Sequence, residues 1–141
     1  MSIRFSLDKE VSSPDCAWKV VSDVQSMPKY WKGHREVKIL NSDANRFRIS
    51  ITFAFPGPGN TGEAEVVVLE TERRIVINYV KGPVKGNVTI GVRYEDSKVE
   101  TSWDVQVPLY LAPVEPWLKD HFIKGASDAL SRIAEECSAA R

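Results

Sequence analysis

The sequence has no excess charge of either sign, few cysteines and no long apolar run. Its 141 residues contain 19 Lys and Arg against 19 Asp and Glu, so the formal net charge is zero. This balance argues against a nucleic-acid-binding protein, which usually has a basic excess, and against electrostatic docking to anionic membranes. No apolar run has the length of a membrane-spanning helix, so we expect no stable membrane insertion. A chain of this length is expected to form a single domain, residues 1–141.

Cysteine and histidine are scarce, with two of each. Cys16 and Cys137 lie far apart, and neither has a second cysteine at metal-ligand spacing. We expect Cys16 to be a small buried residue and Cys137 to be a free thiol at a helix end. The N-terminal segment MSIRFSLDKE lacks the pattern of a signal peptide, so the predicted compartment is the reducing cytoplasm. The histidines also lack zinc-type spacing, and no phosphate-binding glycine motif is present, so we expect no metal and no cofactor.

The first forty residues predict one strand followed by two short helices. Residues 3–11 alternate between apolar and polar side chains, which is typical of a strand with one buried face. Ser13 and Pro14 then have the residue types favoured at the N-cap and first position of a helix. A second short helix is predicted at about residues 27–31, ending at Gly33.

The remainder of the chain predicts six strands and one long helix. Over residues 36–109 the apolar side chains recur every second position, and short turns between the segments favour an antiparallel meander. Residues 56–60, PGPGN, have the composition of a loop, which we interpret as a hairpin or mobile lip in preference to an active-site lid. Apolar residues at helical spacing over 118–133 then predict a long C-terminal helix whose middle is made of small residues.

These elements predict an α+β protein. An antiparallel sheet must bury one face, and the long C-terminal helix is the available cover. We therefore expect a curved sheet of about seven strands wrapped around that helix, with the two short helices after the first strand. A curved sheet around a helix with a small-residue middle tends to leave an apolar cavity.

The run EVSSPDCAWKVVSDVQSMPKYWKGHREVKIL resembles the opening of the START-like, polyketide-cyclase and Bet v 1-like (SRPBCC) superfamily. The matched positions are Trp18 and Asp23 in the first helix, then Pro28 and Trp31 before a strand. The segment FIKGASDALSRIAEE is similar to the superfamily's closing helix, so the resemblance covers essentially the whole chain. It implies a helix-grip fold with a hydrophobic pocket between sheet and helix. Its members include lipid carriers, hormone-binding proteins, aromatase/cyclases and an accessory protein of carbon monoxide dehydrogenase, and fold alone does not choose among them.

Aromatic residues are the main candidates for the wall of this pocket, because they bury a large area and some carry a polar group that orients a ligand. We expect Trp31 to be a wall or gate first and a ligand contact second. His34, at a strand start, is expected on the surface, and His121 at the mouth of the pocket. The predicted ligand-binding residues are Trp31, Phe53, Phe55, Tyr79, Tyr94, Thr101, Trp103, Trp117, His121 and Phe122.

The residues favour binding over catalysis, and the predicted function is reversible binding of a small lipid-like or aromatic molecule by apolar burial. One alternative is a polyketide cyclase or dehydratase, which would need a buried ionisable group with a shifted pKa; His121, Tyr79 and Tyr94 are the candidates, and no catalytic residue is assigned. Another alternative is an accessory interaction module of the carbon monoxide dehydrogenase type, which would expose an apolar patch such as residues 109–113. A protein partner or a homodimer is left open.

Overall fold

The computed structural model describes residues 2–54 and 59–138, and its elements follow the predicted order. The strands are β1 (Ser2–Glu10), β2 (His34–Asp43), β3 (Arg46–Phe53), β4 (Thr61–Leu69), β5 (Arg74–Lys81), β6 (Lys85–Arg93) and β7 (Lys98–Gln106). The α-helices are α1 (Pro14–Val21), α2 (Met27–Tyr30) and α3 (Glu115–Ser138), with 3₁₀ turns at Val24–Ser26 and Leu109–Val114.

The strands form one seven-stranded sheet in the order β1-β7-β6-β5-β4-β3-β2. Strands β2 to β7 follow one another as an antiparallel meander, and β1 pairs antiparallel with β7 to extend it. Along β4 and β5 buried and half-exposed residues alternate, as the period of two predicts. The sheet and the long helix confirm the predicted α+β helix-grip fold.

The start of α1 confirms the predicted helix cap. Ser13 has an extended backbone, and its Oγ accepts a hydrogen bond from the backbone N–H of Cys16 at 3.1 Å. Pro14 occupies the first helical position, where a missing N–H costs no intrahelical bond. The helix that this cap begins contacts β6, β7 and α3.

The long helix α3 packs tightly over its C-terminal half only. Its buried residues are Ala126, Ala129, Leu130, Ile133 and Cys137. The small side chains of Ala126 and Ala129 allow the helix to lie close to its neighbours. The N-terminal half of α3, residues 115–125, has no fully buried residue; Leu118 and Phe122 are half-buried against the core. The sheet and α3 are therefore held together at one end and more loosely covered at the other.

A disulfide bond joins Cys16 in α1 to Cys137 in the last turn of α3. The expectation of two free thiols was wrong. Separation along the chain says nothing about distance in space, and the fold brings the two Cα atoms to 5.6 Å, within the range that a disulfide requires. The cytoplasmic localisation stays a prediction, and free thiols no longer support it.

The outer face of the sheet carries ion pairs. Glu63 lies 2.9 Å from an Arg48 nitrogen, and Glu100 lies 2.9 Å from an Arg93 nitrogen. Asp104 pairs with Arg4 in the same way. These carboxylates thus belong to the solvated face, away from the helix. In the part of the chain that the structure describes, no helix is long and apolar enough to span a membrane.

Candidate ligand-binding site

Four aromatic rings meet between the sheet and the N-terminal half of α3. Trp103 of β7 lies at their centre, with its ring centroid 5.2 Å from that of Phe5, 5.6 Å from Phe122 and 6.4 Å from Trp31. We refer to Phe5, Trp31, Trp103 and Phe122 as the aromatic layer. It joins β1, β7, α3 and the end of α2, so three of the predicted ligand-binding residues lie together.

The polar end of Trp103 is satisfied within the protein. Its indole Nε1–H donates to Thr101 Oγ1 at 3.1 Å, and the Thr101 hydroxyl donates to the carbonyl oxygen of Thr89 at 2.9 Å. Thr101 is buried, with 1% of its surface exposed. This chain of hydrogen bonds fixes the indole, so Trp103 offers its ring faces and not its N–H to a neighbouring molecule.

The interior beside Trp31 is almost filled. Met27 and Trp31 are both buried and face the same small cavity, as their spacing of four predicts. The volume of this cavity is about 10 Å³, which is about the least that holds one water molecule. Its lining residues are Val20, Val21, Asp23, Met27, Tyr30, Trp31, Ile75, Ile90 and Ile133. A ligand larger than water therefore needs side chains or the half-exposed end of α3 to move.

A histidine and a tyrosine form a buried hydrogen bond at another part of the sheet's inner face. His34 Nε2 lies 2.7 Å from the Tyr79 hydroxyl, and the two rings are nearly parallel at 6°, with centroids 5.8 Å apart. Phe53 packs against both rings. His34 and Tyr79 are each 5% exposed, so the expected surface position of His34 was wrong. Phe53 and Tyr79, both predicted as ligand-binding residues, thus contact His34, which was not among the predicted ligand-binding residues.

Burial keeps both members of this pair uncharged. Removal from water disfavours the imidazolium and lowers the pKa of His34 to about 4, and it disfavours the phenolate and raises the pKa of Tyr79. The second ring nitrogen, His34 Nδ1, is buried and has no hydrogen-bond partner among the described residues. A buried polar atom without a partner is uncommon in folded proteins, so this nitrogen is a candidate for a ligand contact.

The other predicted candidates lie elsewhere. Tyr94 is 36% exposed and donates a hydrogen bond to Asp15 at 2.8 Å, on the outside of the molecule. Trp117 and His121 stack on each other at 5.1 Å, both exposed on α3. Phe55 lies outside the described residues. Within residues 2–54 and 59–138, no three His, Cys, Asp or Glu side chains converge in a way that could hold a metal ion.

An exposed apolar segment precedes α3. Leu109 is 76% exposed and Tyr110 is 77% exposed, and Trp117 in the first turn of the helix is 64% exposed. This is the property that the interaction-module alternative requires of residues 109–113.

The sequence itself identifies the family. A family profile described as "Polyketide cyclase / dehydrase and lipid transport" matches residues 12–135. The chain belongs to the polyketide cyclase/dehydrase and lipid transport family. The superfamily resemblance stated from the sequence is thereby confirmed. No curated protein sequence matches this family member.

Solved structures show the same fold for this family member at low sequence identity. The Zhui aromatase/cyclase from Streptomyces sp. R1128 superposes with a TM-score of 0.76 at 13% identity, covering 98% of this chain and 93% of that one. Norcoclaurine synthase from Thalictrum flavum superposes with a TM-score of 0.65 at 20% identity, covering 96% of this chain and 87% of that one. A START superfamily protein from Mycobacterium smegmatis gives 0.66 at 17% identity, covering 96% and 97%. The neighbours thus include both enzymes and a START protein.

Proposed function

We propose that this protein reversibly binds a small hydrophobic molecule, lipid-like or aromatic, between the sheet and the N-terminal half of α3. The aromatic layer is the observation that carries the proposal. Its four rings come from separate elements, and the helix above them buries none of its first eleven residues fully. Apolar burial at about 25 cal/mol per Å² would supply the binding free energy.

The ligand would enter where the fold is least tightly packed. The C-terminal half of α3 is held by buried side chains and by the disulfide to Cys16, so it stays in place. The N-terminal half rests on the half-buried Leu118 and Phe122. Local openings occur preferentially where few apolar contacts are buried, so displacement of this half of the helix is the expected route to the aromatic layer.

Titration with 2-ethylnaphthalene, followed by the indole N–H signals in NMR spectra, tests this proposal. We expect the signals of Trp31 and Trp103 to shift on binding, and those of Trp18 and Trp117 to stay in place. Trp18 is tied to Glu70 by a 2.9 Å hydrogen bond and Trp117 is on the outside, so both serve as internal references. Shifts confined to Trp117, or no saturable shift at all, would contradict the proposal.

A matched pair of variants on α3 separates internal binding from adhesion to the surface. Phe122→Ala removes a ring of the aromatic layer and should lower the affinity for 2-ethylnaphthalene by about fivefold, since an aromatic contact contributes about 1 kcal/mol. Trp117→Ala removes an exposed ring from the same helix and should leave the affinity unchanged. Native mass spectrometry of protein from its own host would then identify the natural ligand.

Catalysis of the polyketide cyclase or dehydratase type is a second candidate, and the buried His34–Tyr79 pair is the observation that favours it. Such an enzyme needs an interior group that can exchange a hydrogen bond or proton with a carbonyl substrate. A neutral imidazole can polarise a carbonyl oxygen by donating a hydrogen bond to it. Incubation with a linear poly-β-ketone tests this candidate, with mass spectrometry used to detect the loss of water. Turnover by the parent protein that is absent in the His34→Gln variant would support it.

An interaction module is favoured by the exposed apolar side chains of Leu109, Tyr110 and Trp117. Replacement of Leu109 and Tyr110 by Ser should dissociate a partner or homodimer while leaving ligand binding intact. Sedimentation velocity on the parent protein and this variant would reveal the difference.

A further inference from the structure

The His34–Tyr79 pair spans the inner face of the sheet across two intervening strands. His34 begins β2 and Tyr79 lies near the end of β5, with β3 and β4 between them. Their side chains meet over these strands at 2.7 Å. The pair is thus part of the surface that faces the interior of the fold, and not a contact between neighbouring strands.

Small residues on β4 make room for this arrangement. Ala64 lies directly opposite Tyr79 in the sheet and is fully buried. At Gly62 a Cβ atom would collide with the carbonyl oxygen of Lys81 and would lie 3.1 Å from Cε2 of Phe53. The position of the Phe53 ring against His34 and Tyr79 therefore depends on the absence of a side chain at Gly62.

The direction of this hydrogen bond depends on the tautomer of His34. The Tyr79 hydroxyl keeps its proton, because burial raises its pKa, and His34 Nε2 is its partner. When the hydroxyl donates to Nε2, the neutral imidazole must carry its own hydrogen on Nδ1. His34 Nδ1–H is then a buried donor with no acceptor among the described residues.

The surroundings of this donor restrict what it can bind. Among the described residues no Lys or Arg is buried, so the interior has no cation to neutralise a carboxylate ligand. A ligand hydroxyl would accept from Nδ1–H but would bring a donor of its own, which needs a buried acceptor. A carbonyl oxygen accepts one hydrogen bond and adds no unsatisfied donor.

We propose that His34 Nδ1–H binds the carbonyl oxygen of a neutral hydrophobic ketone or aldehyde, with Tyr79 fixing the imidazole tautomer and Phe53 packing against the ligand. This inference rests on the proposed hydrophobic-ligand function and names the ligand's chemical class. Tyr79 acts here as a positioning residue, since it contacts the imidazole and not the carbonyl.

Two probes of nearly equal shape test the inference. 2-Acetylnaphthalene carries a carbonyl, and 2-ethylnaphthalene does not. We expect His34→Phe to lower the affinity for the ketone by at least about tenfold and the affinity for the hydrocarbon by less than about twofold. The difference corresponds to the loss of one hydrogen bond. Tyr94→Phe is the matched control, because it removes an exposed tyrosine hydroxyl remote from the pair and should change neither affinity.

Measurements on the unmutated protein make the test independent of how His34→Phe folds. With ¹⁵N-labelled histidine, Nδ1 of His34 should be the protonated nitrogen, and its resonance should move on addition of the ketone and not of the hydrocarbon. The infrared carbonyl stretch of bound 2-acetylnaphthalene should fall relative to the free ketone in an apolar solvent.

The outcomes distinguish the two proposals. If both probes bind but the carbonyl stretch is unshifted and the Nδ1 resonance does not respond to the ketone, then the inference is wrong and a buried water is the occupant, while the hydrophobic-ligand function stands. If neither probe binds, the proposed function fails and the inference fails with it.

Discussion

Reduction of the disulfide between Cys16 and Cys137 is expected to destabilise the protein strongly. The bond closes a loop with a sequence separation of 121. In the chain-entropy description, a cross-link over a loop of this length restricts the unfolded chain by about 5 kcal/mol at room temperature. Typical domains are stable by only about 5–15 kcal/mol in total, so reduction would remove about a third or more of the stability.

The packing around the disulfide indicates which part of the protein would lose stability on reduction. Cys137 is 1% exposed and lies in the tightly packed half of α3, and the bond ties this half to the start of α1. Cys137 is buried and Cys16 is half-buried, so complete reduction is best carried out under conditions where the chain can unfold and refold.

Equilibrium unfolding in guanidinium chloride, with and without reductant, measures the effect. With a denaturant dependence of about 4 kcal/mol per molar for a chain of this size, the midpoint should fall by about 1 M on reduction. The double variant Cys16→Ala/Cys137→Ala is the control. Its midpoint should lie near that of the reduced protein and should not respond to reductant.

Two results would contradict a stabilising disulfide between Cys16 and Cys137. One is an identical midpoint for the parent protein in both conditions. The other is the detection of two free thiols in denatured protein that has not been exposed to a reductant. Either would restore the expectation of two reduced cysteines.

Three further perturbations have defined outcomes. Trp31→Ala removes a buried ring beside a filled interior and should lower the free energy of unfolding by about 3–5 kcal/mol; a loss well below this range in urea unfolding would mean that the ring is not part of the core. Unfolding free energy should also fall by about 3 kcal/mol as pH drops from 6.5 to about 4 and then level off, because the unfolded chain takes up a proton on His34 over this range and the native state does not. His34→Gln should lack this component, and equal pH profiles for the two proteins would contradict the buried, neutral imidazole. Gly62→Ala should destabilise by about 1–3 kcal/mol, since its Cβ would collide with the Lys81 carbonyl; an unchanged thermal midpoint would argue against the close approach of the strands.

Most of the fold was accessible from the sequence because local patterns determine it. Apolar side chains at every second position define the strands, and short turns between them leave antiparallel pairing as the simplest connection. Ser13 followed by Pro14 marks the start of α1, and the apolar stripe over residues 118–133 marks α3. These signals depend on neighbours within a few positions, which a sequence displays directly.

The disulfide was not accessible in the same way. Cys16 and Cys137 come together only because α1 and α3 pack beside each other at the end of the fold. Neither residue carries a local signal for pairing, and the spacing between them resembles no common motif.

The position of His34 was missed for a different reason. The pairing of β2 with β3 is irregular between His34 and Glu36, so the alternation of inner and outer faces does not carry back from Val37 to the start of the strand. The alternation of inward and outward side chains along β2 therefore does not predict the orientation of His34. Tyr94 and Trp117 illustrate the converse limit, since aromatic character alone does not separate interior rings from the exposed ones.

The central claim is that a hydrophobic ligand binds inside the fold, between the sheet and the N-terminal half of α3. Intermolecular nuclear Overhauser effects from bound 2-ethylnaphthalene test it most directly, because they identify the side chains in contact with the ligand. We expect contacts to Trp103 and Phe122. Contacts to Tyr110 and Trp117 alone would place the molecule on the outer surface and contradict binding inside the fold.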